Sequence, residues 1–170
     1  MLLFLDIDGT LIPFGASEPY PRYAAPDPAL SGAHPLLDRV DPALGRRLAR
    51  LVALGCTPVW ATTWEHDEAN ACLAPWLGLP PLPQVEWPED TGPVHGGLHW
   101  KTRPLLDRAV GRAFVWLDDE IGDADRAWAA AHHPAPALLH RVDHRRGLTG
   151  HDLAAVESWL SARTAVASPS

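Results

Sequence analysis

Two aspartates, Asp6 and Asp8, stand two positions apart directly after the apolar run Leu2–Leu5, and Gly9 and Thr10 follow them. On a continuing strand, residues two apart face the same side, and a glycine lets the backbone turn tightly beside a bound anion. A second apolar run, Val59-Trp60-Ala61, ends in Thr62-Thr63, and a third, Phe114-Val115-Trp116-Leu117, ends in Asp118-Asp119. Lys101 lies in the segment before that third run. These residue types are the parts that phosphoryl transfer needs. A carboxylate attacks phosphorus and splits one hard step into two. A second carboxylic acid protonates the leaving alcohol and then deprotonates water. A divalent cation neutralises the phosphate oxygens, and magnesium takes oxygen ligands, usually one or two carboxylates plus water and phosphate. A lysine and a hydroxyl hold the remaining oxygens. A calcium loop of the EF-hand kind is the rival reading of residues 6–10. It needs glycine at its sixth position and a preceding helix, whereas here glycine is fourth and an apolar run precedes.

These groups meet only if the elements carrying them end at one edge. Leu2–Leu5 reads as a buried parallel strand, apolar on both faces. Residues 13–35, rich in Pro, Ala and Gly, read as a long irregular loop, a kind uncommon unless functional or disordered. Asp41-Pro42 opens a helix, with Asp as the cap and Pro at the first helical position. Leu44, Leu48, Leu51 and Val52 fall on one face of it, and Gly55 closes it. Residues 57–61 read as the second strand and 65–73 as a helix. Residues 82–87 are a strand candidate flanked by prolines, and 90–97 a loop. A helix over 103–110 leads to a strong apolar strand over 113–117. An Ala-rich helix over 123–131 follows, then a fifth strand candidate over 137–142. A last helix over 151–162 would pack Trp159 and Leu160 onto the sheet. Strands alternating with helices predict an α/β fold with a mainly parallel five-stranded sheet, in which ligands bind beyond the carboxyl ends of the strands. One domain over 1–162 is expected, with a flexible tail over 163–170.

The bulk properties narrow the function further. A length of 170 residues fits one core, and 46% hydrophobic with 21% charged residues is an ordinary globular mix. A formal net charge of −7 lacks the basic excess of a free-standing nucleic-acid binder, so charge predicts no stable nucleic-acid binding. Part of that acidity is expected around a bound cation. Cys56 and Cys72 form no ligand pair and no disulfide framework, and read as buried small hydrophobes. No stretch approaches the roughly 20 apolar residues that span a bilayer. The opening MLLFL lacks the basic start of a secretory signal. A cytoplasmic protein with no membrane partner is the expectation.

Asp6-Ile7-Asp8-Gly9-Thr10-Leu11 resembles the DxDGT motif of phosphatases of the HAD (haloacid dehalogenase-like) superfamily. The family's second motif, a Thr or Ser ending an apolar strand, is matched by Val59-Trp60-Ala61-Thr62. Its third, a lone lysine, is matched by Lys101, and its fourth, an acidic pair after an apolar strand, by Asp118-Asp119. The four occur in the family's order. The resemblance implies a Rossmann-like three-layer sandwich and an Mg2+-dependent phosphatase that acts on a phosphate monoester through an aspartyl-phosphate. Asp6 would be nucleophile and metal ligand. Asp8 would be general acid and base, at the metal site. Thr62, with Thr63 as the alternative, and Lys101 would bind the phosphoryl group. Asp118 would bind magnesium, with Asp119 beside it or acting through water. Asp123 stands either as a downstream ligand or as the cap of the next helix. Residues 59–64, Asn70 and Gly147-Leu148-Thr149 also look like a small subgroup without a cap, found beside RNA-repair enzymes.

No insertion is long enough for a large cap domain: residues 13–35 would hold a flap, and 75–97 is also short. Such a site admits a phosphorylated small molecule, if an oligomer partner closes it, or a nucleotide or nucleic-acid terminus. Eight tryptophans occur in the chain. Trp60, Trp116 and Trp159 fall in core elements. Trp64 follows Thr62-Thr63 and Trp100 precedes Lys101, so both belong near the phosphate, either as packing or as a platform for a nucleobase. The pairs His95/His99 and His140/His144 are spaced four apart but lack a third zinc ligand, and read as solvated surface. Arg22, Arg145 and Arg146 read as surface charge. Two other functions remain open at this point: a non-catalytic HAD-fold binding module, which has no need of both Asp6 and Asp8, and a phosphotransferase.

Overall fold

The computed structural model describes residues 1–89 and 96–166, with side chains through Arg163. His95 and most of the 90–97 loop lie outside them. Four parallel strands form the sheet: β1 (Leu2–Leu5), β2 (Thr57–Trp60), β3 (Phe114–Asp118) and β4 (Ala137–Arg141), in the order β2-β1-β3-β4. Leu5 is in register with Trp60 on one side and Leu117 on the other. The residues after these three positions, Asp6, Ala61 and Asp118, therefore lie side by side at one edge of the sheet. β1 and β3 are buried along their whole length, as apolar runs inside a covered parallel sheet should be.

The pleat sends alternate side chains into two cores. On one face Leu3, Leu5, Trp60, Val115 and Leu117 pack with α1 (Leu44–Ala53), a helical run over residues 66–76 (α2), and α5 (Gly150–Val166). On the other, Leu2, Phe4, Val59, Phe114 and Trp116 pack with α3 (Thr102–Ala109) and α4 (Asp123–His132). This is the three-layer α/β sandwich, and no folded cap stands among the described residues. No helix of them is long and apolar enough to cross a membrane.

Of the five strand candidates, the proline-flanked one over 82–87 does not form a strand, and the sheet has four. Only a single bridge forms there, with Trp60 N–H donating to Pro83 O (2.8 Å) and Val85 N–H to Trp60 O (2.9 Å). Pro80, Pro81, Pro83 and Pro88 remove the donors a ladder requires. The side chain of Asn70 takes over that role. Its Oδ1 accepts from Leu82 N–H (2.8 Å) and from the Trp60 indole (3.1 Å), and its Nδ2 donates to Leu82 O (3.0 Å). Asn70 reaches both backbone groups from a π-turn, Ala69–Leu73, in the middle of α2.

Other expectations need adjustment. Val52 is 42% exposed, because it lies about 100° round the helix from Leu51 and off the apolar stripe. Asp41 does cap its turn, its Oδ1 accepting from Ala43 N–H at 2.8 Å, but regular α1 begins only at Leu44. The loop 13–35 is irregular apart from a 3-10 turn at Pro28–Leu30. α5 continues to Val166, past Arg163, whose guanidinium lies over the Trp159 ring. Cys56 is buried and Cys72 half-buried.

Candidate active site

The carboxyl ends of β1 and β3 place Asp6 and Asp118 side by side, and the start of α3 brings Lys101 between them. Lys101, the chain's one lysine, donates to Asp6 Oδ1 at 2.7 Å and to Asp118 Oδ2 at 2.8 Å, with all three side chains buried. Thr10 Oγ1 donates to the other oxygen of Asp6 at 3.2 Å. Asp118 is fixed further by the Trp116 indole on Oδ2 (3.2 Å) and by Glu120 N–H on Oδ1 (2.9 Å). Asp119 folds back over Gly9. A methyl group at that glycine would sit 2.4 Å from Asp119 Cγ, and Gly9 has φ +73, so the position demands glycine twice over.

Oxygens of Asp6, Asp118 and Asp119 lie within 4.8 Å of one another. Three buried carboxylates gather here and one ammonium pairs with two of them, an imbalance that a divalent cation would correct. The donor set is all oxygen, which suits magnesium rather than a softer metal. A second group, His99, Asp118 and Glu120, meets the same distance limit, with His99 Nε2 2.9 Å from Glu120. Burial pushes the Asp6 carboxyl up to about 7, against the pull of Lys101 and with the help of Asp118. Burial also raises Asp119, with Asp118 adding to it. For Lys101, burial works to lower the pKa, but Asp6 and Asp118 outweigh it and the net direction is upward.

The other expected residues are placed as follows. Thr62 is buried at the end of β2, its hydroxyl accepting from Trp64 N–H at 3.3 Å. Thr63 is exposed and lines a groove with Trp64, Gln84, Trp87 and Arg108. Asp8 stands outside the three-carboxylate group. It is exposed, and the Trp64 indole donates to its Oδ2 at 2.9 Å. Trp100 meets Trp87 edge-on at 4.8 Å, and its ring centre is 5.8 Å from Lys101 Nζ. Asp123 is fully exposed and pairs with Arg126, and neither of the two groupings of possible ligands includes it. His99 and His140 are paired with Glu120 and Asp152 rather than solvated.

Sequence reasoning missed the residues that hold these loops. Asp125 is fully buried. Its Oδ1 accepts from His99 N–H (2.7 Å) and Thr102 Oγ1 (2.5 Å), and its Oδ2 from Gly122 N–H (2.7 Å). It thereby ties the turn carrying Lys101 to the turn after Asp119. It also caps α4 by reaching back to Gly122, the role expected of Asp123. The signal was available, since an acid three residues after the cap is the capping-box position. Gln84 Nε2 donates to Trp64 O, and Trp87 Nε1 to Thr62 O, each at 2.7 Å, so two side chains fix the backbone of the second motif.

The family model describing the HAD domain in Swiss Army Knife RNA repair proteins matches residues 2–153. The chain belongs to the HAD superfamily, in this RNA-repair subgroup. Comparison with curated proteins and with solved structures gives no match. This HAD domain is thus placed among phosphohydrolases by its family. Residues 59–64, Asn70 and 147–149 fall within the matched span. Two of them now have physical roles. Asn70 replaces a missing strand, and Gly147-Leu148 closes onto the first motif, with Leu148 N–H donating to Thr10 O at 2.6 Å.

Proposed function

We propose that this HAD domain is an Mg2+-dependent phosphohydrolase that cleaves a phosphate monoester through an aspartyl-phosphate on Asp6. The observation that carries the reading is the buried group of Asp6, Asp118 and Asp119, the first two bonded to Lys101 Nζ, at the strand edge where α/β folds bind ligands. Asp6, Asp118 and Asp119 would hold magnesium, which would screen the charge between an anionic nucleophile and an anionic phosphate. An Asp6 oxygen attacks phosphorus and the bond from phosphorus to the ester oxygen breaks. Asp8, exposed at the mouth, gives its proton to the departing oxygen. Asp8 then takes a proton from water, whose oxygen attacks the same phosphorus and releases Asp6. Lys101 and the Thr62 hydroxyl bind the phosphoryl oxygens, with Thr63 as the exposed alternative.

The substrate class we propose is a nucleotide or nucleic-acid end. The family's RNA-repair setting supports it. The net charge of −7 favours a terminus over a long polyanion held along the surface. The test is a panel of phosphate esters, including nucleotides and oligonucleotides with 3′- or 5′-phosphates, with magnesium and with EDTA. Activity should vanish with EDTA, and Asp6→Asn should fall to background on every substrate. An Asp6→Asn protein keeping more than about a tenth of the rate has lost under roughly 1.4 kcal/mol of barrier, too little for a lost nucleophile. That result would sink the mechanism.

A further inference from the structure

Trp64 stood out in the sequence as a platform for a base, yet its indole is already engaged. Nε1 donates to Asp8 Oδ2 at 2.9 Å, and His34, from the loop 13–35, lies against the ring with centroids 4.6 Å apart. The Trp64 backbone is pinned as well, its N–H by the Thr62 hydroxyl and its carbonyl by Gln84. Asp8 itself is exposed, and an unrestrained exposed carboxylate would rotate freely. An indole N–H can only donate. The indole therefore holds Oδ2 as an acceptor, and Oδ1 is the oxygen that it leaves to face the substrate.

We propose that Trp64 is a positioning residue for Asp8, fixing the carboxyl so that Oδ1 delivers the proton to the leaving oxygen, with His34 holding the indole in place. This rests on the phosphohydrolase reading above. It departs from base stacking in what it predicts. A positioned acid matters most when the leaving group is poor, because a good leaving group departs without a proton.

The experiment compares wild type and Trp64→Phe, which keeps a ring against His34 but removes the donor. kcat/KM is measured on p-nitrophenyl phosphate, glycerol phosphate and a nucleoside 5′-monophosphate. Glycerol phosphate and the nucleotide should each lose about tenfold or more, as for a displaced general acid, and p-nitrophenyl phosphate distinctly less. Equal loss on all three overturns the proposal. So does a loss confined to the nucleotide, which is the signature of stacking. A second measurement needs no turnover and no Trp64 variant to fold. In the metal-free protein the Trp64 indole N–H resonance should move in Asp8→Ala more than any other indole resonance, and an unmoved resonance overturns the proposal. Wild-type inactivity on all esters, beside a moved resonance, would instead strike the phosphohydrolase reading and leave the Trp64–Asp8 bond standing.

Discussion

Asp6 and Asp118 share one ammonium with Asp119 close beside them, and the cost of that arrangement is measurable. The Asp6 carboxyl sits at about 7 in the fold against 3.8 ordinarily. Between those values the folded protein holds a proton that the unfolded chain has lost, so stability from this group falls as pH rises through that window. Melting curves of the metal-free protein should show it gaining stability as pH drops from about 7 toward 5, after allowance for other groups by the same scan on Asp6→Asn. Magnesium should raise the melting temperature at neutral pH. At 100 times its dissociation constant a ligand of the folded state adds about 2.7 kcal/mol, and Asp118→Asn should remove most of that gain. Gly9→Ala should fail differently. The added methyl collides with Asp119, so magnesium stabilisation and turnover should both drop even where the variant still melts cooperatively.

At the scale of elements, β1 and β3 were legible because an apolar run ending in carboxylates has few other meanings in an α/β chain. Residues 82–87 were not, because period and apolarity suggested a strand while the prolines had removed its donors. What replaces the ladder is a single amide, Asn70, reaching from a π-turn that no sequence period announces. Asn70→Ala would leave Leu82 N–H and the Trp60 indole without that partner, while Leu82 O keeps His66 Nε2 at 3.2 Å. It should cost at least about 2 kcal/mol in chemical denaturation, since each buried unpaired group costs about 1–3 kcal/mol. Thr149 was legible only as part of a family pattern, and its role is local. Its hydroxyl and N–H both donate to Asp152 at the start of α5. Burial works to raise the Asp152 carboxyl, but the bonds from Thr149 and His140 win and hold it below its ordinary value. Thr149→Ala should cost about 1 kcal/mol at neutral pH, as capping losses do. A lowered carboxylate contributes stability above its unfolded pKa and loses it as pH falls through its folded pKa. The gap between Thr149→Ala and wild type should therefore narrow in acid.

Across the whole molecule, two connections bind distant parts of the chain into one site. Asp125 joins the turn of Lys101 to the turn after Asp119, though in the sequence it looks like one more acid on an Ala-rich helix. Asp125→Ala would strand three donors, and it should lower both the melting temperature and kcat. The change in kcat should persist well below the melting range, because Lys101 has lost its support rather than the fold. The second connection is Leu148 N–H to Thr10 O, with Gly147 packed against Pro13. Thr10 in turn supports Asp6. Asp6, the nucleophile we propose, thus stands on β1, yet a backbone bond bracing its loop comes from residue 148. Thr10 and Leu148 lie more than a hundred residues apart in the sequence, so the loop after β1 gains this brace only when the segment between β4 and α5 has folded back onto it. Cutting the chain between β4 and α5 should therefore loosen the loop that supports Asp6, from a point far from it in sequence.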